Sequence, residues 1–213
     1  MESTPKITLL RVLHYVFMGL MVAGIVLFVL NQGNYFGITD GQPSIQGWVT
    51  AVGDHQPVTL QNPEGSGALN IYNFNQQQFL TMEFSSWSDL FKPRYLGYIL
   101  FQNLAWLFGI LVLYQMLRIF RNLDRGVTFQ QENIRRVRYI AFMIPAIPLA
   151  AFLASRTLAG IVRALPGYQS LGVKPANPFE DIVFSGLIAL LIFALVEIFQ
   201  RGAHLQQEQD LTV

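Results

Sequence analysis

Three long stretches without a formal charge, and a fourth interrupted only by one glutamate, constrain this chain more than any other feature. The first runs from Val12 to Leu30, the second from Tyr95 to Leu117 and the third from Tyr139 to Ser155. The fourth runs from Ile182 to about Gln200, with Glu197 near its end. A helix needs about 20 apolar residues to cross roughly 30 Å of hydrocarbon, so each stretch predicts a membrane span. Charged residues make up 13% of the 213 residues, against roughly 25% in a soluble domain. A cleaved signal peptide has an apolar region of about 7–15 residues and a small-residue cleavage site. The first stretch is longer, and Leu30-Asn31-Gln32-Gly33 is a poor cleavage site, so it reads as a retained span.

The fold class that follows is a membrane all-α four-helix bundle carrying a small extracytoplasmic antiparallel β-sheet between the first two spans. The whole chain, 1–213, reads as one integral membrane domain. The expected spans cover residues 7–31, 94–120, 138–160 and 181–200. Between them lie a β-rich segment over 32–93, an arginine-rich loop over 121–137 and a short loop over 161–180. A tail over 201–213 follows. Pro145 and Pro148 predict a kink in the third span, tolerated where neighbouring helices satisfy the freed carbonyls.

Lysine and arginine in short loops set orientation. The second loop holds Arg118, Arg121, Arg125, Arg135, Arg136 and Arg138, with Lys6, Arg11 and Arg201 on the same side. Both termini are therefore expected in the cytoplasm of a bacterial inner (plasma) membrane. The arginine cluster has two readings, contact with anionic lipid or docking of an acidic partner.

Within 32–93, four stretches read as short strands: Ile45–Val52, Pro57–Gln61, Ala68–Phe74 and Phe79–Phe84. Leu80, Met82 and Phe84 alternate with Thr81 and Glu83, the period of a half-buried strand. Gly53-Asp54 and residues 62–67 carry turn signals, and Trp48 and Trp87 are candidate anchors to the helix ends. A loop with a single hairpin is the simpler alternative. Pro166, Gly167, Pro175 and Pro178 mark the second external loop as irregular.

An internal comparison suggests a duplicated helical hairpin. Ile119-Phe120 is followed by Arg125-Gly126-Val127-Thr128-Phe129-Gln130-Gln131-Glu132. Ile198-Phe199 is followed by Arg201-Gly202-Ala203-His204-Leu205-Gln206-Gln207-Glu208. Glycine at C′ ends helices, which predicts a helix stop at each copy. Thr128 with Gln131 fits a capping box opening the third span. Coincidence within the restricted juxtamembrane alphabet is the other reading.

The same segments resemble the bacterial four-span family of unknown function DUF2975. Its pattern has a Gly-x-x-Phe-x-x-x-Asn element after the second span, matched by Gly126, Phe129 and Asn133. It ends in Gly-x-x-Leu and an acidic-Leu-Thr-hydrophobic tail, matched by Gly202, Leu205, Asp210, Leu211, Thr212 and Val213. Members often accompany a small helix-turn-helix regulator, so the resemblance implies a membrane partner for a cytosolic regulator. It implies no catalytic residue. The layout is also similar to the claudin-like tetraspan arrangement, without that family's Cys pair.

Chemistry finds little footing. Cysteine is absent, which removes disulfides, thiolate metal sites and Cys nucleophiles. His14, His55 and His204 fall in different compartments, so they share no metal. His14 is expected to hydrogen-bond a neighbouring helix, as are the polar positions Gln102, Asn103 and Gln115. Glu197, an ionisable group in a span, fits an ion pair with Arg201 at i+4 or a role in partner or proton binding. Arg156 is expected to snorkel to the outer interface beside Glu180 or Asp181.

No cofactor, metal, small-molecule substrate or direct nucleic-acid contact is expected, and no enzyme. The preferred expectation is a non-enzymatic membrane regulator or adaptor. It would bind a cytosolic partner through Arg125, Gly126, Phe129, Asn133, Arg201, Gly202, Leu205, Asp210 and Leu211. The alternatives are an accessory or assembly subunit joined to other membrane subunits, and a small transporter.

Overall fold

The computed structural model describes residues 9–37, 41–50, 58–61, 68–74, 77–124, 131–164, 174–175 and 179–210. Along the chain it has helix α1 (Leu9–Tyr35), strands β1 (Ser44–Thr50), β2 (Val58–Gln61), β3 (Ala68–Phe74) and β4 (Gln77–Glu83), and a single turn α2 (Trp87–Leu90). Helices α3 (Pro93–Asp124) and α4 (Gln131–Ala164), strand β5 (Lys174–Pro175) and helix α5 (Phe179–Asp210) complete it.

Four of these helices are long and apolar enough to span a bilayer: Arg11–Gly33, Pro93–Asp124, Gln131–Ala164 and Phe179–Ile198. Their outward surfaces make the membrane reading physical. No residue of the α1 span window is buried within the chain. Leu20, Val22, Leu27 and Val29 on α1 and Phe184, Leu190 and Leu191 on α5 are all exposed. Contiguous apolar surface on that scale calls for lipid rather than water. The chain is a multi-pass membrane protein.

The strands form one antiparallel sheet of order β2-β3-β4-β1-β5. Between β1 and β4 the register pairs Ser44 with Glu83 and Thr50 with Gln77. β3 follows the expected span residue for residue, and β4 begins two residues earlier than expected and stops at Glu83. Ala51, Val52, Pro57 and both predicted turns lie outside the described residues. The alternation in β4 buries Leu80, Met82 and Phe84 completely, but Thr81 is also covered. β4 lies between β1 and β3, so both of its edges are paired. β5 adds a strand where an irregular loop was expected, pairing Val49 with Pro175 and Thr50 with Lys174.

The chain divides into two compact units. One contains residues 27–106 and 148–180 and carries the sheet. The other contains residues 1–26, 107–147 and 181–213. α1, α3 and α4 contribute to both.

In the sheet-bearing unit the core joins strand to helix. Ile45, Val49, Leu80, Met82 and Phe84 pack with Tyr35, Leu90, Tyr95, Tyr98, Ala154, Leu158 and Val162. Phe84 meets the Tyr95 ring edge-on, at 4.8 Å between centroids. The docking is made by backbone as well as packing. Carbonyls of alternate residues point to one edge of a strand, and on β1 those of Gln46 and Trp48 are claimed by helix hydroxyls. Tyr98 of α3 donates to the Gln46 carbonyl. Ser155 of α4 donates to the Trp48 carbonyl at 3.1 Å. Such an edge would otherwise leave acceptors unpaired in a dry interface.

Between those carbonyls lies Gly47. A Cβ there would come within 2.6 Å of Leu158 Cδ2 and 2.8 Å of the Tyr98 hydroxyl, so only glycine permits the approach. Gly37 closes the α1 exit with φ +64, a left-handed conformation that favours glycine. Gln32 of α1 donates to Asn103 of α3 at 2.6 Å, the kind of interhelical bond expected of Asn103. Trp87 stacks on Phe36, centroids 5.2 Å apart.

The helices depart from the sequence reading in two places. α4 begins at Gln131, before the expected start at 138, and Pro145 and Pro148 lie within it. α5 does not stop at Gly202 but continues to Asp210. One glycine costs a helix only about 1 kcal/mol, and Ala203, Leu205, Gln206, Gln207 and Glu208 around it are good helix formers. The predicted C′ role of Gly202 is therefore corrected; Gly126 lies outside the described residues.

Candidate functional site at the arginine-rich helix ends

The helix ends that carry most of the arginines belong to the second unit. Each is held by a polar contact that its sequence supplies. At the start of α1, Arg11 Nε lies 3.2 Å from Asp124 Oδ1, the last residue of α3. At the junction of α3 and α4, Asn122 Nδ2 donates to Asn133 Oδ1 at 2.7 Å. Asn133 is only 4% exposed, so the motif residue expected to meet a partner instead ties two helices of its own chain. Glu132 pairs with Arg136 one turn on.

On α3, Arg118 Nε donates to the Tyr114 hydroxyl at 3.0 Å. On α4, Arg135 Nε donates to the Tyr139 hydroxyl at 2.8 Å. Each guanidinium also lies over the ring it bonds, 5.4 Å from the centroid. An arginine laid over a tyrosine in this way keeps its charge at the polar boundary while its stem covers apolar surface. On α5, Arg201 Nε lies 3.0 Å from Glu197 Oε1, both side chains mostly exposed. An exposed pair of this kind contributes at most about 1 kcal/mol, so it orders the helix surface more than it stabilises the fold.

Two pockets open among these residues. One, of about 340 Å³, is lined by Arg11, His14, Tyr15, Arg121 and Asp124. His14 Nδ1 is buried there and has no hydrogen-bond partner among the described residues, where a bond to a neighbouring helix was expected. The pocket's carboxylate, Asp124, is engaged by Arg11, and the imidazole instead meets the Tyr15 ring edge-on. The other pocket, of about 480 Å³, lies between the start of α4 and Gln200 of α5.

The remaining site residues from the sequence are placed as follows. Arg125, Gly126, Phe129 and Leu211 lie outside the described residues. Gly202, Leu205 and Asp210 fall on the helical continuation of α5. Arg156 belongs to the sheet-bearing unit, is exposed, and makes no ion pair with Glu180 among the described residues. Asn122 and Tyr139 were missed by sequence reasoning. Asn122 stands eleven residues before Asn133, too far for any local motif to connect them. Among the described residues no three His, Asp or Glu side chains gather into a metal-binding group.

A family model described as Protein of unknown function (DUF2975) matches residues 70–213, from β3 to the C-terminal end. No curated protein and no solved structure matches the chain.

Proposed function

The chain belongs to the DUF2975 family, and we propose that it is a non-enzymatic membrane adaptor that holds a cytosolic protein against the bacterial inner membrane. In this reading the sheet faces the extracytoplasmic side and the arginine-rich helix ends face the cytoplasm, with both termini inside. The supporting observation is the length of α5. Its apolar run ends at Ile198, yet the helix continues to Asp210. At 1.5 Å per residue, that continuation is roughly 18 Å of helix beyond the bilayer-compatible segment. Nothing in spanning the membrane requires it, and a preformed helix binds a partner at lower entropic cost than a disordered tail.

The contact surface would comprise Arg201, Gly202, Leu205, Asp210 and Leu211 with the loop residues Arg125, Gly126 and Phe129. Asn133 would act beneath them, holding α3 to α4. A small helix-turn-helix regulator is the partner class implied by the family resemblance. A second reading, an accessory subunit of a membrane complex, draws on α1, whose span buries none of its window within this chain. Partner helices would cover that surface in place of lipid.

The test is a crosslinked pull-down from native membranes, comparing the full chain with one ending at Gln200. Recovery of a soluble DNA-binding protein with the full chain alone supports the adaptor. Recovery of the same integral membrane proteins with both chains supports the subunit reading. The lack of cysteine makes orientation directly measurable. Ser85→Cys and Gln209→Cys should react with a membrane-impermeant maleimide from opposite sides.

A further inference from the structure

The larger pocket has the composition of an amphiphile's binding site. Its polar part comes from Gln131, Arg135 and Arg138 of α4 and Gln200 of α5, and its apolar part from Tyr139 and Phe142. Gln200 stands two residues beyond Ile198, where the apolar run of α5 ends. The arginines therefore lie where a hydrocarbon-compatible surface gives way to a polar one. Phe142 is 64% exposed, and its ring meets Phe193 of α5 edge-on at 5.0 Å. That aromatic pair forms an apolar wall beside the arginines.

Among the described residues no acidic side chain pairs with Arg135 or Arg138. The carboxylate among the pocket's described lining residues, Glu132, is engaged by Arg136. Arg138 is exposed and has no acidic partner among the described residues. Arg135 of the lining uses Nε on the Tyr139 hydroxyl, which fixes the guanidinium and leaves its terminal nitrogens out of that bond. Two arginine forks close together, beside amide donors, match a phosphate oxygen group. The volume of about 480 Å³ falls within the roughly 300–1,000 Å³ usual for small-ligand sites.

We propose that this pocket binds the headgroup of an anionic phospholipid, its phosphate held between Arg135 and Arg138 and an acyl chain lying over Phe142 and Phe193. A soluble phosphate compound would satisfy the arginines but would gain nothing from the exposed aromatic wall. The inference needs only the membrane placement of the helices. It is independent of the adaptor reading and of which side of the membrane the arginines face.

The experiment uses the full chain in nanodiscs of phosphatidylcholine, alone or mixed equally with phosphatidylglycerol carrying a photoreactive acyl chain. Adducts should map to α4 and α5 peptides containing Phe142 and Phe193. Lipid retained through delipidation, counted by native mass spectrometry, should fall about fivefold for each of Arg135→Gln and Arg138→Gln. Arg156→Gln, on the other unit, should change nothing. Arg138→Lys keeps the charge and should recover most of the retention, which separates lipid binding from misfolding. Adducts spread evenly over all four spans would overturn the proposal. So would full competition by inorganic phosphate, which would show a site for the free anion.

Discussion

Gly47 is the residue on which the docking of sheet to helices turns. Leu158, which its missing Cβ would strike, is itself fully buried, and the Tyr98 hydroxyl is committed to the Gln46 carbonyl. Neither neighbour is free to give way. Gly47→Ala should therefore cost about 1–3 kcal/mol, the usual range for overpacking, read as a lower midpoint in a detergent-solubilised unfolding curve. Tyr98→Phe should cost about 1 kcal/mol, because it removes the hydroxyl's bond to the part-buried Gln46 carbonyl without altering packing volume. Tyr35, buried at the end of α1, gives a pH signature. Burial pushes its hydroxyl up to about 12 from the ordinary 10. The folded state thus holds its proton longer than the unfolded state. The corresponding stability is complete below about pH 10 and is lost as pH rises from there toward 12. The loss amounts to about 2–3 kcal/mol. Tyr35→Phe should make the loss over that window shallower, and an unchanged slope would assign it to other groups such as the buried Tyr98.

At the scale of elements, α5 supplies the clearest discrimination between two roles for one residue. If Gly202 lies inside a continuous helix, Gly202→Ala should raise helicity and stability by up to about 1 kcal/mol. If it ended the helix in a left-handed conformation, the same change would be destabilising. Circular dichroism of the two proteins decides between them. The sequence misled here because glycine beside arginine after an apolar run is the usual stop signal, whereas the helix formers beyond it outweigh one glycine. Elsewhere the elements were readable. The spans follow from uncharged length alone, and β4 follows from Leu80, Met82 and Phe84 in strict alternation. β5 was not readable, since two residues including Pro175 carry no period. Its existence depends on the edge that β1 presents at Val49 and Thr50. The site was partly legible for the same reason. Glu197 and Arg201 pair within one helix, so their spacing announces them, whereas Asn122 and Asn133 meet only after two helices have formed.

For the whole molecule, the separation into two units makes a quantitative claim about coupling. Leu158 belongs to the core beneath the sheet, and Asn133 to the arginine-rich unit. Leu158→Ala empties a fully buried position and should cost about 2–5 kcal/mol. Asn133→Ala leaves the Asn122 amide without its acceptor and should cost about 1–3 kcal/mol. With independent environments, the double variant should lose the sum to within about 0.5 kcal/mol. Denaturant titration of the wild-type, single and double variants in one detergent closes the cycle. Retained lipid gives a second readout of the same independence. Leu158→Ala should leave phosphatidylglycerol retention at the Arg135 and Arg138 pocket unchanged, while Asn133→Ala, one turn from that pocket, should lower it. An interaction energy well above 0.5 kcal/mol would mean that the continuous helices α1, α3 and α4 carry strain from one unit to the other. A signal received at the sheet would then have a mechanical route to the arginine-rich helix ends, and the adaptor proposed above would transduce rather than tether.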